Sequence, residues 1–262
     1  MQIKRIFFEW ILNNGNMKKK IALILGGNGG IGSSAARKLI EDGMHVCTTY
    51  YKNRDQIEKI KTDLNTSSFT EYQCNTLVST DLNKVVNDIT TSLGNIDVVI
   101  FTLASELKYK KLLDLEWEDY KEHFNVQLKS IHFAIKALTD QIQARHETKF
   151  IVLLTEACFG TPPKGLSHYL TAKYAAMGMA KAMAGELAQY GSTVNMISPG
   201  MVETPLLDSL PSKLVEITAY QNPLKRNAMP EDVSSAISYL ASDQSNYLNG
   251  TNIVVNGGGK IV

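Results

Sequence analysis

Apolar residues along this chain follow two alternating rhythms. Unbroken runs such as Ile21-Ala-Leu-Ile-Leu25 suit a strand buried on both faces, whereas longer stretches repeat their apolar positions every three or four residues, as amphipathic helices do. The first rhythm predicts strands at Ile21–Leu25 and over 46–50, 69–74, 96–103, 150–154, 194–197 and 252–255. The second predicts helices over 33–42, 55–64, 82–93, 116–145 and 168–189, with Gly43, Gly94 and Gly191 as stops. Strand and helix alternating through short turns makes crossover units. The expected class is therefore α/β, a doubly wound parallel sheet of about seven strands with helices on both faces. One long stretch, 203–228, is rich in Pro and Leu but weakly patterned, which is the character of a lid or binding loop.

The N-terminus stands apart. Ile3, Ile6, Phe7, Trp10 and Ile11 recur at helical spacing, interrupted by Lys4, Arg5 and Glu9. The segment has no continuous apolar core and no small-residue cleavage site, so it is read as an extension, 1–16, ahead of one domain spanning 17–262. No run of eighteen apolar residues predicts a membrane span. With 27 Lys and Arg against 26 Asp and Glu in 262 residues, no bulk basic field exists to hold nucleic acid or anionic lipid. Three scattered cysteines without a Cys-x-x-Cys suit a reducing, cytoplasmic compartment. These observations point to an enzyme acting on a small molecule.

Chemistry enters first at Gly26-Gly27-Asn28-Gly29-Gly30-Ile31-Gly32, between the first strand and the first helix. It reads as G-x-x-x-G-x-G or as G-x-G-x-x-G. In both, glycines permit a tight turn and close approach of the backbone to a pyrophosphate, which the helix N-terminus then faces. At the end of the second strand, Tyr50-Tyr51-Lys52-Asn53-Arg54 offers no carboxylate for the hydroxyls of an adenosine ribose. Lys52 and Arg54 favour the 2′-phosphate of NADP(H) over NAD(H), with solvated loop charges as a nearly level alternative.

Tyr169 and Lys173 stand four residues apart, on one face of a predicted helix. A cation there would favour the phenolate and let the tyrosine exchange a proton nearer neutral pH. With the glycine loop and Asn195-Met-Ile-Ser-Pro199-Gly200-Met-Val202-Glu-Thr204, the pair resembles the short-chain dehydrogenase/reductase family, from about Lys19 onward. The resemblance implies a Rossmann-type fold and hydride transfer between a nicotinamide and a ketone or secondary alcohol, broadly as in 3-oxoacyl-thioester and small-ketone reductases. It casts Tyr169 as acid/base and Lys173 as the holder of the nicotinamide ribose. Gly26, Asn28, Gly29, Gly30, Ile31, Gly32, Tyr50, Tyr51, Lys52, Asn75, Ala104, Pro199, Gly200, Val202 and Thr204 then line the cofactor. It also implies a homodimer or homotetramer, and the small-sided helix, with Ala172, Ala175, Ala176, Gly178, Ala180, Ala182, Ala184 and Gly185, suits either close packing on the sheet or a subunit contact.

Several positions depart from the family pattern. A serine usually precedes the tyrosine by thirteen residues, where this chain has Glu156, preceded by Thr155. An ionised Glu156 there would raise the Tyr169 pKa and repel an alkoxide. Thr155 could supply the hydroxyl after a small shift, Glu156 could donate as the neutral acid, or it could pair with a cation and turn away. Phe101-Thr102-Leu103-Ala104 replaces the family's Asn-Asn-Ala-Gly, Gln127 replaces its relay asparagine, and Asn75 its adenine-facing aspartate. Two rival readings stay open: a cofactor-binding regulatory or structural protein without redox activity, and a non-redox enzyme with Glu156 as base. His168 and Cys158 flank the site in sequence but are read as packing residues.

Overall fold

A computed structural model describes residues 19–261; the N-terminal extension expected over 1–16 lies outside them. Strand β1 (Ile21–Leu25) leads through the glycine turn to α1 (Gly30–Glu41), then β2 (His45–Tyr50), α2 (Asp55–Leu64), β3 (Phe69–Gln73), α3 (Ser79–Ser92) and β4 (Val98–Phe101). The second half holds α4 (Trp117–Phe124), α5 (Ser130–Ala137), α6 (Thr139–Gln143), β5 (Lys149–Leu153), α7 (Ser167–Leu187), β6 (Thr193–Pro199), α8 (Ser212–Gln221), α9 (Pro230–Ala241) and β7 (Asn252–Val255). The seven strands form one parallel sheet in the order β3-β2-β1-β4-β5-β6-β7. The expected doubly wound architecture is thus present.

Alternation along each strand explains why the strands read as continuous apolar runs. In β1, Ile21, Leu23 and Leu25 join a core with Leu82, Ile89, Ile131, Phe150 and Ala176 on one side of the sheet. Ala22 and Ile24 face the other side, with Ala35, Leu39, Val233 and Ile237. Both faces are buried, so β1 carries apolar residues in both registers. Helices α1 and α9 approach closely through small residues, and Ser34 shares a hydrogen bond of 3.1 Å with Ser234.

Two expected elements differ. The helix predicted over 116–145 is instead three helices. A wider π turn at Asn125–Lys129 separates α4 from α5, and Leu138 breaks the chain again with φ −96° and ψ 6°. Side chains that bond their own backbone mark the breaks: Ser130 Oγ donates to Val126 O at 2.5 Å, and Thr139 Oγ1 to Lys136 O at 2.9 Å. The weakly patterned 203–228 contains a 3₁₀ turn at Pro205–Ser209 and α8. Its two ends are stapled where Glu203 N–H donates to Ala228 O at 2.9 Å and Ala228 N–H to Met201 O at 2.8 Å. The segment is tied at its base and borders the cleft described below. Among the described residues no helix is long and apolar enough to cross a membrane.

Candidate active site

Strand order reverses at β1, whose neighbours are β2 and β4, and such a switch point opens a crevice beyond the C-terminal strand ends. A cleft of about 790 Å³ lies there. Gly26, Asn28, Gly29, Gly30, Ile31, Gly32, Ala104, Tyr169, Lys173, Pro199 and Thr204 line it, so the fold gathers most of the expected residues. Gly200 and Val202 line an adjoining cavity of about 400 Å³ instead, with Thr155, Glu156, Tyr169 and the lid leucines Leu206, Leu207, Leu210 and Leu214.

The glycine turn is packed too closely against the protein to admit side chains. A Cβ on Gly27 would lie 1.5 Å from Thr48 Oγ1, one on Gly30 2.5 Å from Thr204 Cγ2, and one on Gly32 2.3 Å from Gly26 O. Gly26 itself turns at φ +98°, a conformation costly for any other residue. Helix α1 begins without a side-chain cap and without an acidic residue in its first turn. Its amide end and positive dipole are thus open to an anion in the cleft. The replaced segment at the end of β4 still serves this turn. Thr102 Oγ1 donates to Leu25 O at 2.9 Å and Gly26 O at 3.1 Å, binding the glycine turn to β4.

At the floor of the cleft, Lys173 is buried and donates to Leu153 O at 2.7 Å and Gln127 Oε1 at 3.0 Å. Gln127 Nε2 donates in turn to Leu103 O at 2.9 Å. The π turn swings this longer side chain inward, and such bulges often sit at functional sites. Lys173 Nζ lies 5.8 Å from the centre of the Tyr169 ring. The expected lowering of the tyrosine pKa is reversed, because burial dominates and pushes Tyr169 up to about 12. The Thr155 hydroxyl opposes that shift from beside it. Burial likewise lowers Lys173 to about 8.

The Glu156 question has a geometric answer. Its carboxylate turns away from the phenol and accepts from Asn256 Nδ2 at 2.8 Å, an amide partner rather than a cation. Thr155 is the residue left against Tyr169. Behind the tyrosine, His123 stacks edgewise on His168 at 4.9 Å and on the Tyr169 ring at 5.9 Å. Burial lowers both imidazoles, His123 to about 4, so they form a neutral wall. Cys158 is buried and its thiol is pushed up to about 11, which leaves it unreactive.

The adenosine end departs most from expectation. Tyr50, Tyr51, Lys52 and Asn75 do not line the cleft, while Asn53, Asp55 and Gln56 do. Arg54 is engaged by Glu58 and, at 2.7 Å, by Glu71, and stacks over Tyr50 at 5.6 Å. Lys52 rests over the exposed Tyr51 ring at 5.4 Å. Asn75 Oδ1 accepts from Leu77 N–H at 3.1 Å within the turn into α3. Asn28 Oδ1 accepts from Gln56 N–H at 3.0 Å, so the glycine turn caps α2 as well. A lone asparagine between glycines gave no sequence signal for that tie.

Comparison with known proteins identifies the family and the fold. The family model described as enoyl-(acyl carrier protein) reductase matches residues 26–260. A 3-oxoacyl-[acyl-carrier-protein] reductase of Staphylococcus epidermidis is 28% identical over 241 residues, 91% of this chain and 98% of that protein. A sorbose reductase of Candida albicans is 28% identical over 253 residues, 95% and 89% of the two chains. Among solved structures, a Brucella melitensis short-chain dehydrogenase/reductase superposes with a TM-score of 0.84 at 24% identity, over 93% and 97% of the chains. A 3-ketoacyl-(acyl-carrier-protein) reductase from the same organism, solved with NADH, gives 0.83 at 21% over 94% and 100%. With the family model spanning glycine turn, Tyr169–Lys173 pair and C-terminal loop alike, the chain belongs to the short-chain dehydrogenase/reductase family.

Proposed function

We propose that this protein is a nicotinamide-dependent reductase of a small-molecule ketone, of the 3-oxoacyl or similarly apolar class, with NADP(H) favoured over NAD(H). The observation that carries the reading is that Tyr169 lines both the glycine cleft, with Lys173, and the leucine-lined cavity, with Thr155, while buried Gln127 holds Lys173 from behind. The cofactor supplies a hydride equivalent. In reduction, Tyr169 Oη hands its proton to the carbonyl oxygen, and Thr155 Oγ1 donates a hydrogen bond to that oxygen as its charge develops. Lys173, held by Leu153 O and Gln127, steadies the phenolate left behind and offers its remaining donor to the ribose. Leu206, Leu207 and Leu210 of the lid cover the reacting centre and favour an apolar substituent on the carbonyl.

With Glu58 and Glu71 occupying Arg54, preference for NADP(H) rests on Lys52 leaving its place over Tyr51, outside the cleft, and swinging toward the 2′-phosphate. The catalytic helix α7 divides its small residues between two surfaces. Ala172, Ala176, Ala180 and Ala184 are buried against the sheet, whereas Gly178 and Gly185 face open space. We place the homo-oligomer contact on that outer face, and the active protein in the cytoplasm. The test is turnover of small ketones, 3-oxoacyl thioesters and 2-enoyl thioesters with NADPH and NADH. Turnover of the carbonyl substrates, stronger with NADPH, supports the reading; turnover of the enoyl substrates alone, or of none, removes it.

A further inference from the structure

Glu156 stands where the family places a serine, and its contacts lead away from the reacting centre to a junction at Asn256. Besides donating to Glu156 Oε2 at 2.8 Å, Asn256 Nδ2 donates to Lys260 O at 2.8 Å. Asn256 O accepts from Asn222 Nδ2 at 2.8 Å, and Asn222 is the residue on which the lid helix α8 ends. Lys260 closes the ring. Its Nζ donates to Phe159 O at 2.7 Å and Thr161 O at 3.2 Å, on the loop that follows Glu156.

The surroundings are shaped to the carboxylate. A Cβ on Gly200 would lie 3.3 Å from Glu156 Oε1, and one on Gly259 3.3 Å from Oε2. Three segments therefore meet at Asn256: its side chain holds Glu156 of the loop after β5 and Lys260 O of the C-terminal loop, and its main-chain oxygen holds Asn222 at the end of the lid. A serine at 156 lacks the two further carbons that carry the carboxylate to Asn256.

We propose that Glu156 is a positioning residue that clasps the lid, through Asn256 and Asn222, to the loop carrying Thr155, and thereby sets the cavity that receives the apolar part of the substrate. The kinetic consequence rests on the reductase reading; the clasp does not. Loss of the carboxylate leaves the Asn222–Asn256 O bond but unties Asn256 from the Thr155 loop, so the lid end and C-terminal loop can shift together against that loop while the Tyr169–Lys173–Gln127 set stays in place. Substrate binding then suffers and the proton transfer does not.

The experiment compares Glu156→Ala, Glu156→Gln and Asn256→Ala by hydrogen exchange of the lid and C-terminal loop without substrate, and by kcat and KM with NADPH and a 3-oxoacyl thioester. Glu156→Ala should speed exchange across 212–228 and 256–260 and raise KM about tenfold with kcat nearly unchanged, as expected for one charge-assisted hydrogen bond lost. Glu156→Gln retains an acceptor and should stay close to the unmutated protein in both. Asn256→Ala, which also removes the bonds to Lys260 O and from Gly258 N–H, should show at least the effect of Glu156→Ala, and adding Glu156→Ala to it should change nothing further. If Glu156→Ala does not fold, Glu156→Ser carries the same expectation. Unchanged exchange and KM in Glu156→Ala overturn the clasp. So does equal loss of kcat in Glu156→Ala and Glu156→Gln with unchanged exchange, the signature of a general base. If the unmutated protein reduces no carbonyl, exchange alone decides the clasp and only the reductase reading fails.

Discussion

Tyr169 and Lys173 share one helical face, and burial shifts each away from its charged form, the phenol to about 12 and the ammonium to about 8. Reduction uses the neutral phenol, which is present across the neutral range. It also uses charged Lys173, which loses its proton as pH rises past about 8. The kcat/KM for reduction should therefore be level through neutral pH and decline above pH 8, whereas alcohol oxidation, needing the phenolate beside charged Lys173, should rise toward about pH 8 and then level. A pH–rate series in both directions checks this, and a reductive rate climbing above pH 8 contradicts it. For Thr155, replacement by Ala should lower kcat about 10²–10³-fold, as for other oxyanion donors, and replacement by Ser should restore most of it. Steady-state kinetics of the two variants distinguish a hydroxyl's chemistry from its packing. The pair Tyr169 and Lys173 was legible because helical spacing alone puts both side chains on one face. Thr155 and Glu156 were not separable, since adjacent residues compete for one place and only the tertiary partner, Asn256, decides which turns inward. The same holds for Lys52 and Arg54, where Glu71 on a neighbouring strand withdraws one of two equivalent cations.

At the scale of elements, the glycine turn is the tightest constraint in the fold. Gly27→Ala would drive its Cβ to within 1.5 Å of the buried Thr48 Oγ1. It should destabilise the protein by about 1–3 kcal/mol in urea unfolding. Thr48→Ala in the same chain should recover part of that loss, because Oγ1 is removed while the Thr48 Cβ remains 2.7 Å away. Strands were readable from the chain because both faces of the sheet are dry. Helix continuity over 116–145 was not. Its apolar period survives the π turn, and what widens that turn is Gln127 reaching Leu103 O and Lys173, two partners remote in sequence. The lid helix was hidden for a related reason. None of α8 is fully buried, so no strong periodic stripe marks it.

For the whole molecule, a nearly neutral charge excluded a bulk electrostatic partner, and the fold shows charge used locally instead. The outer face of α7, open at Gly178 and Gly185, is the surface proposed for assembly. Gly178→Arg should convert the oligomer to a smaller species in light scattering after gel filtration, while the fold, by circular dichroism, stays intact. An unchanged mass would place the interface elsewhere. The doubly wound sheet and the cleft at its switch point followed from strand–helix alternation, whereas the adenosine end did not, because Asn28, Asn53 and Asp55 meet only when β1 and β2 lie side by side. The decisive measurement is NADPH-dependent reduction of a 3-oxoacyl thioester by the unmutated protein beside Tyr169→Phe, with cofactor binding measured for both. Turnover by the first and a loss of about 10²–10⁴ in the second, at equal cofactor affinity, is the expected result. Equal turnover by the two proteins, or none by the unmutated one across the carbonyl panel, would contradict a reductase centred on Tyr169.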